Sequence, residues 1–275
     1  MSQLRLTFGC FTACFFIHML CPSCKFQQPT EATECAQCGI IFAKYRSRSD
    51  SHVRSDIRQK ALSDPFITPS YVFSHLAKDV LLPEGFLINP AVYGGRLLIY
   101  AGLLLWGWKF LSTPMEANYV GESFMHMINL PFHEAGHLIF SPIGRFMQVL
   151  GGSLGQLMMP LICLGSLLIQ NRDGFGAAVG LWWFAESLMD IAPYINDARA
   201  LDLVLLGGVT GKDVEDYHDW EYILGTLGWL QYDHTLAHAA YALGSLLMIL
   251  AYLWGGYILV LQFKNLDTTA SHVGQ

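Results

Sequence analysis

Two histidines and a glutamate occur together in the segment HEAGH, residues 133–137, which fits the pattern HExxH. On an α-helix, residues four positions apart lie on the same face, so His133 and His137 can direct two imidazole nitrogens at one metal ion. Glu134 then stands beside a water molecule on that metal and can act as its general base. This arrangement is typical of zinc peptidases. The alternative is a pair of histidines that only satisfies polar groups inside a helical bundle.

A catalytic zinc ion needs a third protein ligand and one open position for water. The best placed candidates are Asp190 and Asp197, at the polar end of an apolar run in MDIAPYINDARA. Next come His218 and Asp219 in YHDWEY, and Glu186, which forms an ExxxD pattern with Asp190. The residues alone leave these alternatives open.

With HExxH and an acidic segment after it, the chain resembles the site-2 protease class of intramembrane zinc metallopeptidases. The resemblance covers roughly residues 120–200. It implies an endopeptidase that cleaves membrane-protein substrates within the lipid bilayer. In that chemistry zinc lowers the pKa of its bound water to about 7 and polarises the scissile carbonyl. Glu134 takes the proton of that water and later hands it to the leaving amine.

The class pairs HExxH with a downstream Asp in a motif of the Asn-Pro-Asp-Gly type. Pro193 and Asp197 resemble this second motif, although Ala198 stands where the class has Gly and Asp190 where it has Asn. The resemblance therefore implies Asp197 as the third zinc ligand, beside His133 and His137. Its rivals for that place are Asp190, Glu186 and His218.

Four cysteines near the N-terminus form two CxxC pairs, Cys21 with Cys24 and Cys35 with Cys38. In a reducing compartment such pairs are typical of metal ligands rather than of disulfides. Four thiolates make a closed structural zinc site, and a module this small depends on the metal for its stability. Residues 21–45 are therefore predicted to form a zinc ribbon that could recruit a protein partner. Two zinc ions per chain are expected, one catalytic and one structural.

The chain after residue 85 has the composition of a membrane protein. Hydrophobic residues make up 53% of the 275 residues and charged residues only 14%, against about 25% charged residues in soluble domains. Residues 146–171 and 235–263 contain no Asp, Glu, Lys or Arg, and each run exceeds the roughly 20 residues that cross a bilayer. The pattern predicts an all-α, polytopic transmembrane helical bundle over residues 85–265. Its spans are expected near residues 92–113, 122–144, 148–170, 174–195 and 236–262.

The rest of the chain is predicted to flank the ribbon, with an apolar leader or over-extended start over residues 1–20 and a polar cytoplasmic linker over residues 46–84. Basic residues cluster in that linker, and the positive-inside rule places them in the cytoplasm. The sequence has no strongly basic face, so it gives no indication of nucleic-acid binding. We expect a multi-pass protein of a bacterial inner membrane with a cytoplasmic ribbon.

Two other function classes compete with the peptidase. A non-catalytic membrane scaffold or assembly factor would keep the peptidase-like fold and bind partners through the ribbon, but it would be free to lose Glu134. A transporter could use His and Asp as ion ligands, but the sequence shows no paired broken-helix repeats. Polar residues such as Asn129 and Gln156 either line a water path to the metal or form hydrogen bonds between helices. The sequence favours a membrane-embedded zinc endopeptidase.

Overall fold

The computed structural model describes residues 18–21, 26–29, 32–42, 81 and 89–273. The chain divides into two compact units, residues 1–74 and 75–275, and each is described by itself. Most of the described residues are helical, which confirms the predicted mainly α-helical fold. The two short strands belong to the first unit.

In the first unit, strand β1 (His18–Leu20) pairs with strand β2 (Gln27–Pro29) in an antiparallel hairpin. Cys21 follows β1 directly. The boundary that the sequence predicts at residue 21 therefore falls inside this hairpin rather than before it. The rest of the predicted leader, and the predicted linker apart from Leu81, lie outside the described residues.

Six helices dominate residues 89–273 of the second unit. They are α1 (Pro90–Ser112), α2 (Phe124–Phe140), α3 (Arg145–Gly165), α4 (Gly174–Asn196), α5 (Asp219–Leu227) and α6 (Asp233–Val273). A π-helical turn extends α3 to Gln170. Helices α1–α4 and α6 lie where the sequence predicts apolar spans, whereas α5 lies between two of the predicted spans, where no helix was predicted.

Local sequence signals explain where the helices begin. The side chain of Asn89 accepts a hydrogen bond from the N–H of Ala91 at the start of α1, and Pro90 occupies the first helical position. Asp173 caps α4 in the same way through the N–H of Gly176. Such caps satisfy N–H groups that have no partner inside the helix.

Helix α4 lies at the centre of the second unit and packs along α6 and against α3. Most of its residues are buried. Its side chains Trp182 and Met189 pack with Phe110 of α1 and Met248 of α6 in the largest apolar cluster. This central helix therefore fixes the positions of the helices around it.

Helices α2 and α3 approach each other closely because glycines line their contact. A Cβ atom on Gly136 would lie only 2.0 Å from the carbonyl oxygen of Gly151, and one on Gly155 only 2.4 Å from the carbonyl oxygen of Phe132. Small residues of this kind allow helix backbones to meet. The HExxH segment of α2 is thereby held directly against α3.

Two helical stretches of the described chain, Arg145–Gln170 and Leu230–Lys264, are long and apolar enough to cross a membrane. Their most apolar windows have mean hydropathies of 1.7 and 1.9, yet only 22% and 28% of those windows are buried. A core helix of a soluble protein would bury most of its apolar side chains. These two helices instead turn much of their apolar surface outward.

Candidate metal centre

Helix α2 places His133 and His137 one turn apart, with ring centroids separated by 4.8 Å. The Nε2 atom of His133 lies 3.0 Å from Oδ2 of Asp219, and the Nε2 atom of His137 lies 3.3 Å from the same oxygen. We call these three partly buried residues the metal group, because their ligand atoms all lie within 4.8 Å of one another.

Asp219 reaches the two histidines as the first residue of α5. The preceding residue, His218, caps the helix by accepting a hydrogen bond from the N–H of Glu221 at its Nδ1 atom. The N–H of Asp219 donates to the hydroxyl of Tyr194 at 2.8 Å. An acidic side chain in the first turn is also stabilised by the helix dipole. The start of α5 thus fixes the position of the carboxylate.

The electrostatics of the site favour an ionised Asp219. Burial acts to raise the pKa of this carboxyl, but hydrogen bonds from His133 and His137 outweigh it and hold the pKa below its ordinary value. The carboxylate is the form that binds a metal ion. Burial lowers the pKa of His218 against the opposing charge of Asp197, so this imidazole is favoured in its neutral form.

The donor set and its spacing fit zinc. Tetrahedral bonds of about 2.0–2.2 Å to nitrogen and oxygen place two ligand atoms about 3.3 Å apart, close to the observed 3.0 and 3.3 Å. The Nδ1 atom of His137 lies 2.8 Å from the carbonyl oxygen of Gln148. A proton on Nδ1 then leaves the lone pair of Nε2 for a metal. Two His and one carboxylate also leave a fourth position for water, as in catalytic zinc sites.

Gly152 of α3 provides the space in which the two imidazoles meet. A Cβ atom at this position would lie 2.6 Å from Nε2 of His133 and 2.6 Å from Nε2 of His137. Any larger residue would therefore occupy the volume next to both nitrogens. The space beside Gly152 supports a metal site independently of the distances between the ligand atoms.

Glu134, the predicted general base, is exposed and lines a cavity of about 590 Å³. The metal group lines the same cavity, together with Tyr194 and the segment 203–207. A volume of this size is within the usual range of ligand pockets. Glu134 therefore opens to the space in which a substrate would meet the metal group.

Asp197, the predicted third ligand, lies outside the metal group at the end of α4. Its two carboxylate oxygens accept hydrogen bonds from the backbone N–H groups of Asp202 and Leu203, both at 2.9 Å. Its Oδ2 atom also lies 3.4 Å from Nε2 of His218. Asp197 therefore holds the loop after α4 and the residue before Asp219, and Asp219 occupies the place that the resemblance gave to Asp197.

Two of the rival ligands belong to a second group, which we call the buried polar cluster: the buried Asn129, Gln156, Glu186 and Asp190, with the partly exposed His126 at its edge. The Nδ2 atom of Asn129 donates to Glu186 at 2.9 Å and to Asp190 at 3.0 Å. Gln156 donates to the same oxygen of Asp190 at 2.8 Å, and Nδ1 of His126 lies 2.9 Å from its other oxygen. Asn129 and Gln156 therefore form hydrogen bonds between helices, the second role that the sequence left open, and Gln156 also lines the cavity beside the metal group.

The last rival, His218, is 1% exposed and uses its side chain to cap α5 and to face Asp197. It supports the position of Asp219 and does not belong to the metal group. The sequence ranked Asp219 below Asp190 and Asp197 because those two residues lie at the polar end of an apolar run. The available signal was a helix start, with Asp219 and Glu221 in the first turn before an apolar run.

The cysteines of the first unit form a second cluster of metal-binding atoms. The sulfurs of Cys21, Cys35 and Cys38 lie within 4.8 Å of one another, and those of Cys21 and Cys38 are 3.7 Å apart. Tetrahedral Zn–S bonds of about 2.3 Å place two sulfurs about 3.8 Å apart. Gly39 adopts a φ of +69°, which favours glycine, and its N–H donates to the carbonyl of Cys35. Cys24, the fourth predicted ligand, lies outside the described residues.

Comparison of the chain with protein-family models, curated proteins and solved structures gave no match. Function is therefore inferred from the geometry of the metal group and its surroundings.

Proposed function

We propose that the protein is a membrane-embedded zinc endopeptidase that cleaves membrane-protein substrates. One observation supports this above all. Two imidazole nitrogens lie 3.0 and 3.3 Å from a single oxygen of Asp219, and Glu134 opens to the same cavity. A zinc ion bound by His133, His137 and Asp219 would lower the pKa of its water to about 7 and polarise a peptide carbonyl.

The protein's own residues supply the remaining parts of the reaction. Glu134 accepts a proton from the attacking water and delivers it to the leaving amine. The carbonyl of Gln148 keeps the ring of His137 in one orientation. Leu203, Val204 and Leu206 line the other side of the cavity, where they give an apolar surface to a substrate segment that has left its helix.

The membrane location is supported by the outer surface of the helices. The two stretches that can cross a membrane leave most of their residues unburied. Large apolar side chains on the other helices are exposed as well: Leu105 of α1 is 78% exposed and Leu138 of α2 is 76% exposed. Apolar surface of this extent is typical of a face that contacts lipid or a partner. We therefore propose that α1–α4 and α6 form a multi-pass bundle.

A structural zinc ion is proposed for the first unit, with Cys21, Cys35 and Cys38 as ligands and Cys24 as the fourth. A closed thiolate site has no open position for water, so its role is to stabilise the module. The resulting ribbon offers a surface for a protein partner on the cytoplasmic side.

The test of the peptidase is Glu134→Gln in the full chain. Glutamine cannot accept the proton of the attacking water, so hydrolysis should fall by about 10²- to 10⁴-fold while zinc stays bound. Quantitative mass spectrometry of membranes from cells that express wild type or variant would detect cleavage fragments, and metal analysis would confirm the zinc. Glu215→Gln is the matched control, because Glu215 is an exposed glutamate outside the cavity lining.

Fragments should appear with the wild type and with Glu215→Gln, and should be missing with Glu134→Gln. Identical fragment patterns in all three would contradict the peptidase. They would favour the scaffold, which binds partners through the ribbon and performs no hydrolysis.

A further inference from the structure

Tyr194 of α4 lies beside the metal group without belonging to it. Its hydroxyl accepts the N–H of Asp219 at 2.8 Å. Its ring centroid lies 6.3 Å from that of His133 and 4.3 Å from that of His218. The residue also lines the cavity to which Glu134 opens. Tyr194 therefore places a phenolic oxygen at the wall where a substrate carbonyl would approach the metal.

The hydroxyl of Tyr194 is an unused hydrogen-bond donor among the described residues. A phenol can accept a hydrogen bond and donate one. The N–H of Asp219 uses the acceptor, and among residues 89–273 no hydrogen bond takes the donated hydrogen. The donated hydrogen is therefore available to an oxygen acceptor that enters the cavity.

Several other side-chain donors of the cavity wall already have a partner, including Arg145, whose guanidinium bonds Asp216. The hydroxyl of Tyr217 donates to the carbonyl of Leu206 at 2.7 Å. Gln156 donates to Asp190, and the ring nitrogen of His126 bonds to the same carboxylate. Each of these groups already bonds a protein acceptor, although Gln156 keeps a second amide hydrogen, and none of these bonds reaches a residue of the metal group.

Gln148 is a remaining side-chain donor of the cavity wall. Its backbone carbonyl bonds Nδ1 of His137, and the structure shows no hydrogen bond from its side chain to a residue of the metal group. Tyr194 instead bonds the ligand Asp219 directly. Of these two donors, it is the one next to the metal group.

We propose that the hydroxyl of Tyr194 donates a hydrogen bond to the oxyanion that forms during peptide hydrolysis, an inference that rests on the proposed peptidase function. Attack by water forms a C–O bond while the carbonyl π electrons move to the oxygen, and Glu134 takes the water's proton. When the C–N bond breaks, the charge returns from that oxygen and the amine takes the proton. Tyr194 stays protonated throughout and stabilises the charge on the oxygen.

The substrate class follows from the same geometry. The donor meets the carbonyl of the cleaved bond and leaves the flanking side chains to the apolar wall formed by Leu203, Val204 and Leu206. We therefore expect an extended peptide with apolar residues on either side of the cleaved bond, which fits a segment released from a membrane helix.

The test compares Tyr194→Phe with Tyr232→Phe, a change of an exposed tyrosine outside the cavity lining, in the full-length, zinc-loaded protein. The probe is a phosphinic analogue of trileucine, whose tetrahedral anion mimics the oxyanion, and its binding is measured by calorimetry. Tyr194→Phe should bind the probe about tenfold or more weakly, as expected for a lost hydrogen bond to a charged group. It should keep its zinc and should lower kcat by about 10²- to 10³-fold with little change in KM. Tyr232→Phe should resemble the wild type.

Equal affinity of the wild type and Tyr194→Phe for the phosphinate would overturn the inference. Loss of zinc from Tyr194→Phe would also overturn it, because it would show that the hydroxyl only positions Asp219. If Glu134→Gln abolishes cleavage while Tyr194→Phe cleaves and binds like the wild type, the peptidase stands and only the role of Tyr194 fails. If the wild type and Glu134→Gln do not differ, the peptidase itself fails.

Discussion

The metal group and the buried polar cluster use the same kinds of side chain, yet only one of them fits a metal ion. Each combines histidine from α2 with an acidic residue that faces it from another helix. In the metal group, one oxygen of Asp219 faces two imidazole nitrogens beside an open cavity. In the cluster, one oxygen of Asp190 accepts two amide N–H groups, and Glu186 accepts one as well.

The two groups differ in the side chains that bond their aspartate, Asp190 in the cluster and Asp219 in the metal group. An amide N–H fills a lone pair of a carboxylate, whereas an imidazole nitrogen offers a lone pair of its own that a shared cation can bind. Asn129 and Gln156 therefore turn Asp190 into a structural acceptor. Asp219 is bonded by imidazoles alone among side chains of the described residues. An acidic residue near HExxH is a convincing ligand only when its neighbours are also ligands.

The largest expected effect on stability comes from the cluster. Asn129→Leu removes the N–H groups shared by Glu186 and Asp190 and the acceptor for Trp183. It leaves two buried carboxylates with fewer partners, so the free energy of unfolding should fall by about 3 kcal/mol or more. Zinc content should not change. Thermal unfolding in detergent measures this, with Gln148→Leu as a control that removes no side-chain hydrogen bond shown by the structure.

A change at Gly152 tests the metal group instead of the cluster. Gly152→Ala puts a methyl group 2.6 Å from Nε2 of His133 and of His137. Zinc affinity at this site should fall by at least the 10- to 100-fold typical of changes around metal ligands. Gly165→Ala is the matched control on the same helix, because a Cβ atom there meets nothing within 4 Å. Equal zinc affinity in both variants would contradict the claim that the metal group needs the space beside Gly152.

The smallest effect is expected for Asp197→Asn. Asparagine keeps one oxygen but presents an N–H group to the loop, so the support of His218 and of the segment after α4 weakens. We expect zinc to remain bound with about tenfold lower affinity. Complete loss of one zinc ion from this variant would restore Asp197 as a ligand and remove the distinction between ligand and support.

The helices could be located from the sequence because long apolar runs and their caps act locally. The apolar run predicted at residues 174–195 is helical, as α4, Gly174–Asn196, and the other four apolar runs also coincide with helices. Helix α5 was not predicted, since it has only nine residues and two acidic residues in its first turn. A short helix that depends on its cap and on packing leaves no long apolar run to detect.

The candidate site could be predicted only in part for a related reason. His133 and His137 share one helix, so their spacing alone brings them together. Asp219 lies 86 residues after His133, and it meets them only because α5 begins beside α2. Asp197 is distinguished from Asp219 because its two carboxylate oxygens accept hydrogen bonds from the backbone N–H groups of Asp202 and Leu203. That information belongs to the folded loop rather than to a spacing pattern.

Metal analysis of the purified full-length chain tests the central claim most directly. The account predicts two zinc ions per chain in the wild type and one in Asp219→Ala. It predicts two again in Asp216→Ala, a change of an exposed carboxylate in the same loop. A wild-type chain with a single zinc ion, lost on Cys21→Ser and retained in Asp219→Ala, would contradict a metal site formed by His133, His137 and Asp219.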